Sequence, residues 1–390
     1  MPVTKYSLFI VRLLVICPRF PYPLEKGDKL RIFHQIKLLH ENHEVCLVSL
    51  TSEEVEPRYV DIIDDITSEC HIIRISKAAR KRSAFRALIT NKPLQSAYYY
   101  SAKAKKKVDQ IVAEFAPEHI YCQLTRMATY VEDYDIPKTL DYMDAFGVGM
   151  ERRASVTKGL QKMLYNLEAK RMKRYEAEVY SRFDHHTIIS EQDRKYIGDG
   201  TLAIHVNPNG IDTSHFFPIE KEEDHDIGFV GNMGYPPNID AAEYLVNKLE
   251  LGKQYRVLIA GARPDKRVKQ LERKNVTITG WVDDVRAEYA RCKIFVAPLW
   301  SGTGQQNKIL EAMAMGIPCV TTSAVNNAIK AVDREQVLIA NDPKSFKAAI
   351  QELLNNKDLY HKIKHNGIQL VKESYSWAYN VENLESIFEK

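Results

Sequence analysis

Short apolar runs that alternate with helix-length amphipathic stretches constrain this chain more than any other feature. LFIVRLLVIC (8–17) precedes KLRIFHQIKLLHEN (29–42), then come EVCLVSLT (44–51), a further helical stretch and CHIIRI (70–75). Strands kept apart by helices cannot close as hairpins; they pair in parallel through crossovers, with helices covering both faces of the sheet. The predicted class is α/β. HIYCQ (119–123), TLDYMD (139–144) and HHTIIS (185–190) read as later strands of the same sheet, and the charged segment 155–182 between the last two reads as a long helix whose apolar face covers it.

The pattern then starts again. DIGFVG (226–231), YRVLIAG (255–261), VTITG (276–280), IFVAPL (294–299), CVTT (319–322) and QVLIA (336–340) form a second strand set, each followed by a glycine, proline or polar loop. A chain of 390 residues also exceeds what one core holds. Two similar domains are expected, 1–205 and 206–375, with the acidic EKEEDHD (220–226) as a solvated linker and a terminal helix, 376–390, packing back on the first domain.

A hydrophobic fraction of 45% and a charged fraction of 27% exclude disordered and fibrous classes. The net charge of +4 does not indicate nucleic-acid binding, although Lys77, Arg80, Lys81, Arg82 and Arg86 form one basic run and Lys103, Lys105, Lys106 and Lys107 another. Such runs are solvated helix faces or attract phosphates and anionic membrane surfaces. The six cysteines show no metal or disulfide spacing, which favours reduced thiols and a cytoplasmic location. The apolar run from Leu8 to Cys17 contains Arg12 and leads into PRFPYP, so it reads as a buried strand rather than a signal or membrane span.

In open parallel sheets ligands bind beyond the carboxyl ends of the strands. Gly231, Gly261 and Gly280 fall at such ends, and Gly302 and Gly304 follow a fourth in FVAPLWSGTGQQNKILEAMAMGIPCVTT (295–322). Glycines let backbone N–H groups approach a ligand, and a helix starting near Asn307 offers its positive end to phosphate. Lys308 and Arg263 are the candidate cations, and Glu311 lies three residues along the same helix face as Lys308, where it can accept hydrogen bonds from sugar hydroxyls. There is no Walker A loop and no GxGxxG after the first strand. In the first half, RFPYPLEKGDKLR (19–31) places Gly27 and Asp28 after the first strand. The DxD matches Asp133–Asp135 and Asp224–Asp226 do not sit at carboxyl ends, and no metal site is expected.

NPNGID (207–212), FVGNMGYPPNIDAAEYL (229–245), LIAGARP (258–264), VTITGWVDDVRAEYARCKIFVAPL (276–299) and SGTGQQNKILEAMAMGIPCVTT (301–322) together resemble the retaining glycosyltransferases of family 4, glycosyl transferases group 1, in the subset with a GTG loop. The resemblance implies the GT-B architecture, two Rossmann-like domains facing across a cleft, and transfer of a sugar from a nucleotide diphosphate sugar. On it, the donor is held by Gly231, Asn232, Gly261, Arg263, Trp281, Val282, Gly302, Thr303, Gly304, Gln305, Gln306, Asn307, Lys308 and Glu311, with Glu311 on the ribose. Lys308 and Glu311 are assigned to catalysis, and Asp144 is expected to bind acceptor hydroxyls or assist proton transfer. Gly27, Asp28, Gln123 and Arg126 are placed on the acceptor side.

The chain departs from the family pattern in three places, one of them GNMGYPPNID (231–240), which offers no Arg/Lys pair after the first strand of the second domain. Thr303 stands where a first glutamate belongs, and Gln123 and Arg126 occupy the region of the usual histidine. No cofactor or metal is expected. The expected partners are a nucleotide diphosphate sugar and a glycan or lipid-linked acceptor, with the inner membrane surface as a peripheral contact and surface polysaccharide assembly as the setting. A nucleotide-sugar epimerase or phosphorylase of the same architecture, and a non-catalytic nucleotide-sugar-binding partner of an assembly complex, remain the alternatives.

Overall fold

The computed structural model describes residues 10–87, 92–300 and 305–388. The chain divides into two compact units, residues 1–208 with 380–390, and residues 209–379. The sequence-based boundary fell three residues earlier, after residue 205.

Seven parallel strands build the first unit: β1 (Arg12–Cys17), β2 (Glu44–Thr51), β3 (Glu69–Arg74), β4 (His119–Gln123), β5 (Lys138–Asp141), β6 (His185–Ile188) and β7 (His205–Val206). Their spatial order is β3-β2-β1-β4-β5-β6-β7, so the winding reverses between β1 and β4. The helix Gly27–Leu39 follows β1 and buries Ile32, Ile36 and Leu39 on one face of the sheet. Val381, Leu384 and Ile387 of the terminal helix Trp377–Phe388 join that same cluster. On the opposite face the helix Ala102–Phe115 contributes Val108, Ile111 and Phe115.

A buried ion pair fastens the first unit at the reversal. Asp141, at the end of β5, accepts from Arg31 Nε at 2.6 Å, Tyr121 of β4 at 2.9 Å, Thr187 of β6 at 3.0 Å and the Met143 backbone at 3.2 Å. Arg31 and Asp141 are both fully buried. The pair links the helix after β1 to three adjacent strands.

The second unit repeats the scheme with β8 (His225–Val230), β9 (Val257–Ala260), β10 (Val276–Thr279), β11 (Cys292–Ala297), β12 (Cys319–Thr321) and β13 (Leu338–Ile339) in the order β10-β9-β8-β11-β12-β13. All pairings are parallel. The central strands β8, β9 and β11 are buried nearly throughout, which is why they read as continuous apolar runs. Among the described residues no helix is long and apolar enough to cross a membrane.

The long helix expected over roughly 155–182 is the helix Gly159–Glu178 continued by a short turn of 3-10 helix, Val179–Arg182, and a separate helix, Phe146–Ser155, precedes it. The helix Gly159–Glu178 buries Glu168, Ala169, Met172 and Glu176, while Leu160, Met163, Leu164 and Leu167 face solvent, with Leu160 80% exposed. The apolar residues occupy two faces, and only one is covered.

Removing one partner of the Arg31–Asp141 pair leaves an uncompensated buried charge. Asp141→Ala is expected to lower the stability of the first unit by about 3–5 kcal/mol. Urea unfolding should show the Arg31→Met/Asp141→Leu double variant recovering most of that loss, because it buries no orphan charge.

Candidate active site

The carboxyl ends of β8, β9 and β11 converge on the start of the helix Asn307–Ala314. Between β8 and β9 the backbones touch: Gly261 has φ of +139°, and a Cβ there would lie 1.8 Å from the Gly231 carbonyl oxygen. Only glycine fits. The two loops are laced further by Met233 N–H donating to the Ala262 carbonyl at 2.9 Å and Asp265 N–H to the Met233 carbonyl at 3.1 Å.

Lys308 lies on the first turn of that helix, half-buried, with Cε 3.5 Å from where a Gly231 side chain would begin. Its Nζ donates to Asn238 Oδ1 at 2.6 Å and stands 5.6 Å from the Phe229 ring centroid. Burial pulls the ammonium down to about 8, against the attraction of Glu311. A desolvated cation whose nearest hydrogen-bond partner is a neutral amide is poised for an anion.

Glu311 follows one turn later. The buried Tyr289 hydroxyl donates to its Oε2 at 2.9 Å and lies 3.1 Å from the Lys308 carbonyl. Burial raises the Glu311 carboxyl above its ordinary range, opposed by Tyr289 and Lys308. One carboxylate oxygen is thereby fixed toward the protein, and the other has room for a further donor.

The remaining donor-side candidates have distinct fates. Gln305 clamps the loop before the second unit's first strand, donating to the Asn209 carbonyl at 2.7 Å and accepting from its N–H at 2.9 Å. Asn232 accepts from Gly234 N–H through its side chain and from Asn238 through its carbonyl, so it shapes the β8 loop. Arg263 is exposed at a left-handed position with φ of 54°. Gln306 and Asn307 are half-buried at the helix start, Val282 is half-buried after β10, and Trp281 beside it is 77% exposed. Gly302, Thr303 and Gly304 lie outside the described residues.

Four of the first-unit candidates meet at the β1–β4 reversal. Gly27, Asp28, Arg126 and Asp144 line one cavity of about 470 Å³. Arg19 is ion-paired with Asp28, and Arg126 stacks between the rings of Tyr99 and Phe146, 4.9 and 5.4 Å from their centroids. Asp144 is open to water at the cavity wall, yet the crowding of protein around it, reinforced by Asp193, pushes its carboxyl up to about 6. Gln123 is corrected to a packing role: it is 1% exposed, and its amide donates to the Asp28 carbonyl at 2.8 Å, fixing the helix start.

Other candidates are engaged elsewhere. Asp224 pairs with Arg291 at 3.0 Å and Asp226 with Lys293 at 2.8 Å, at the amino end of β8 and away from the loops described. Cys46, Glu69 and His71 bring potential ligand atoms within 4.8 Å of one another on β2 and β3, a grouping the sequence spacing does not show. Burial raises the Cys46 thiol, which disfavours the thiolate a metal needs. Sequence reasoning missed Asn238 and Tyr289, although both lie in the motifs that carry the resemblance.

Residues 224–356 match the family of glycosyl transferases group 1. The chain is 23% identical over 386 residues to a 44.6 kDa protein of the cps region of Klebsiella pneumoniae, covering 94% of this chain and 97% of that one. It is 26% identical over 175 residues to the capsular polysaccharide biosynthesis glycosyltransferase CapM of Staphylococcus aureus, covering 42% of this chain and 45% of CapM. Among solved structures, HepE of Anabaena in complex with UDP shares the fold with a TM-score of 0.68 at 12% identity, over 97% of this chain and 99% of that one.

Gly261→Ala tests whether the β8–β9 contact builds the site. The variant is expected to lose about 3 kcal/mol or more of second-unit stability in urea unfolding, since neither the backbone angle nor the space admits a side chain.

Proposed function

We propose that this chain, whose residues 224–356 match the glycosyl transferases group 1 family, transfers a sugar, a hexose, with retention of configuration, from a nucleotide diphosphate sugar to a glycan or lipid-linked acceptor in surface polysaccharide assembly. The observation that carries this reading is the half-buried Lys308 ammonium at a helix start, beside two glycines whose backbones touch. In this reading the donor diphosphate lies over Gly231 and the start of the helix Asn307–Ala314. Lys308 and the helix end neutralise the charge that builds on the leaving diphosphate, and they are in place before reaction. Glu311, held by Tyr289, accepts hydrogen bonds from the ribose. Asp144 accepts the hydrogen bond of an acceptor hydroxyl. No step is assigned to a metal, and turnover is expected to survive EDTA.

Kinship with CapM, named for capsular polysaccharide biosynthesis, supports the polysaccharide setting. We propose that the protein works at the cytoplasmic face of the inner membrane, a reading that the helix Gly159–Glu178 supports. Its exposed Leu160, Met163, Leu164 and Leu167 form a stripe about 100° wide, with Lys170 at its edge. An apolar stripe with a basic flank suits an anionic lipid surface. Sedimentation with vesicles containing anionic lipid is expected to carry down the wild type and to leave most of a Leu160→Ser/Met163→Ser/Leu164→Ser variant in solution. Equal sedimentation would remove this placement.

Turnover with the donor that raises the melting temperature is expected to fall about 10²–10³-fold in Lys308→Met and in Glu311→Ala, with both variants still folded. The pH dependence follows from the ammonium. In the free protein Lys308 loses its proton as pH rises through about 8, so nucleoside diphosphate affinity should decline above that value, while Lys308→Met is weak and flat with pH. Net transfer to an acceptor separates this reading from epimerisation of the free nucleotide sugar and from phosphorolysis.

A further inference from the structure

Three guanidinium groups surround the Tyr99 ring in the first unit, and among the described residues only one has a carboxylate partner. Arg19 Nη2 lies 3.4 Å from the Tyr99 hydroxyl and is paired with Asp28. Arg126 and Arg80 each stand 4.9 Å from the ring centroid. Neither forms an ion pair with a described residue.

Arg80 is the more constrained of the two. It lies on the helix Lys77–Ala87, is 4% exposed, and its Nε and Nη2 are buried without a hydrogen-bond partner. Its other ring contact is Tyr98, 5.7 Å from the centroid. A guanidinium cannot shed its proton inside a protein, so it keeps a charge and two donors with nothing to receive them. Such orphaned groups are rare in native structures, and an ion or water from outside the chain is one of the things that completes them.

The space beside it is real. Arg80 lines a cavity of about 500 Å³ together with Arg19, Lys29 and Lys77, beyond the carboxyl ends of β1 and β2. Arg19, Tyr98 and Tyr99 line both this cavity and the one that holds Arg126 and Asp144. Glu25, Glu53, Glu54 and Glu56 also line it, but all four are exposed, and Glu53 and Glu56 pair with Lys77 and Arg58. The acidic groups are wet at the mouth; the unpaired cation is dry inside.

We propose that this double cavity is an acceptor subsite for an oxyanion, the phosphate or carboxylate of an acidic acceptor, with Arg80 as its buried counter-charge and Arg126 as the cation of the adjoining lobe. The assignment rests on the transferase reading above and narrows it to acceptors that carry negative charge close to the attacking hydroxyl. A phosphate would come from the linkage of a lipid carrier, a carboxylate from a uronic acid.

Calorimetric titration of the full chain tests this with geranyl diphosphate, methyl glucuronide and the neutral geraniol, and in parallel with nucleoside diphosphates. One or both anionic probes should bind wild type and Lys308→Met alike, geraniol should not bind, and Arg80→Met should weaken the anionic probe about tenfold or more. Arg126→Met serves as a second variant, at a half-buried position, and should weaken it as well. The probe that responds identifies the source of the oxyanion. Nucleoside diphosphate binding should be unchanged in Arg80→Met and weakened in Lys308→Met, so loss of the donor reading and loss of this one are separate results. Binding of neither anionic probe, or equal binding by wild type, Arg80→Met and Arg126→Met, overturns the subsite.

Discussion

The Asp141–Arg31 pair is the contact on which the first unit's chemistry depends. Asp141 gathers donors from the helix after β1, from β4 and from β6, next to the reversal of the winding order between β1 and β4. Because both charges are fully buried, the arrangement holds only while each is complete. Its consequence is positional. Arg31 sits one turn beyond Asp28 on the same helix, and Asp141 one short turn before Asp144, so a single buried pair sets the spacing of two side chains that line the cavity.

The second unit reaches a comparable result by a different route. There the fixed element is backbone on backbone, Gly261 against Gly231, with the Lys308 stem lying over the contact. Tyr289 and Asn238 then hold Glu311 and Lys308 in place. In both units polar groups are taken out of water beyond the carboxyl ends of strands, and in both a cation is left with capacity for an anion. That shared pattern is the physical basis for reading the first unit as an acceptor site and the second as a donor site.

Much of this was legible in the sequence because periodicity and burial are tied. Strands covered on both faces must be apolar throughout, so β8, β9 and β11 announced themselves, and the glycines at their ends followed. What stayed hidden depended on contacts distant in the chain. TLDYMD contains two aspartates, and nothing local tells that Asp141 is the buried hub while Asp144 faces the cavity. Gln123 was placed on the acceptor side because it stands in the region of the family's usual histidine, but its amide is taken by the Asp28 carbonyl 95 residues away. The segment 155–182 read as covering the sheet because helical spacing reports an apolar face without saying what covers it, and its Leu160, Met163, Leu164 and Leu167 are exposed. Arg80 was one member of a basic run, and only the fold shows that it is buried while Lys81 and Arg82 are exposed.

Hydrogen–deuterium exchange of the full chain with and without a nucleoside diphosphate addresses the central claim most directly, because it locates the donor without assuming an acceptor. Protection is predicted in peptides covering the β8 loop at Gly231–Tyr235, the β9 loop at Gly261–Asp265 and the helix start at Asn307–Glu311, and it should vanish in Lys308→Met. Saturating ligand with no protection in these peptides, or protection confined to the first unit, would contradict the donor site.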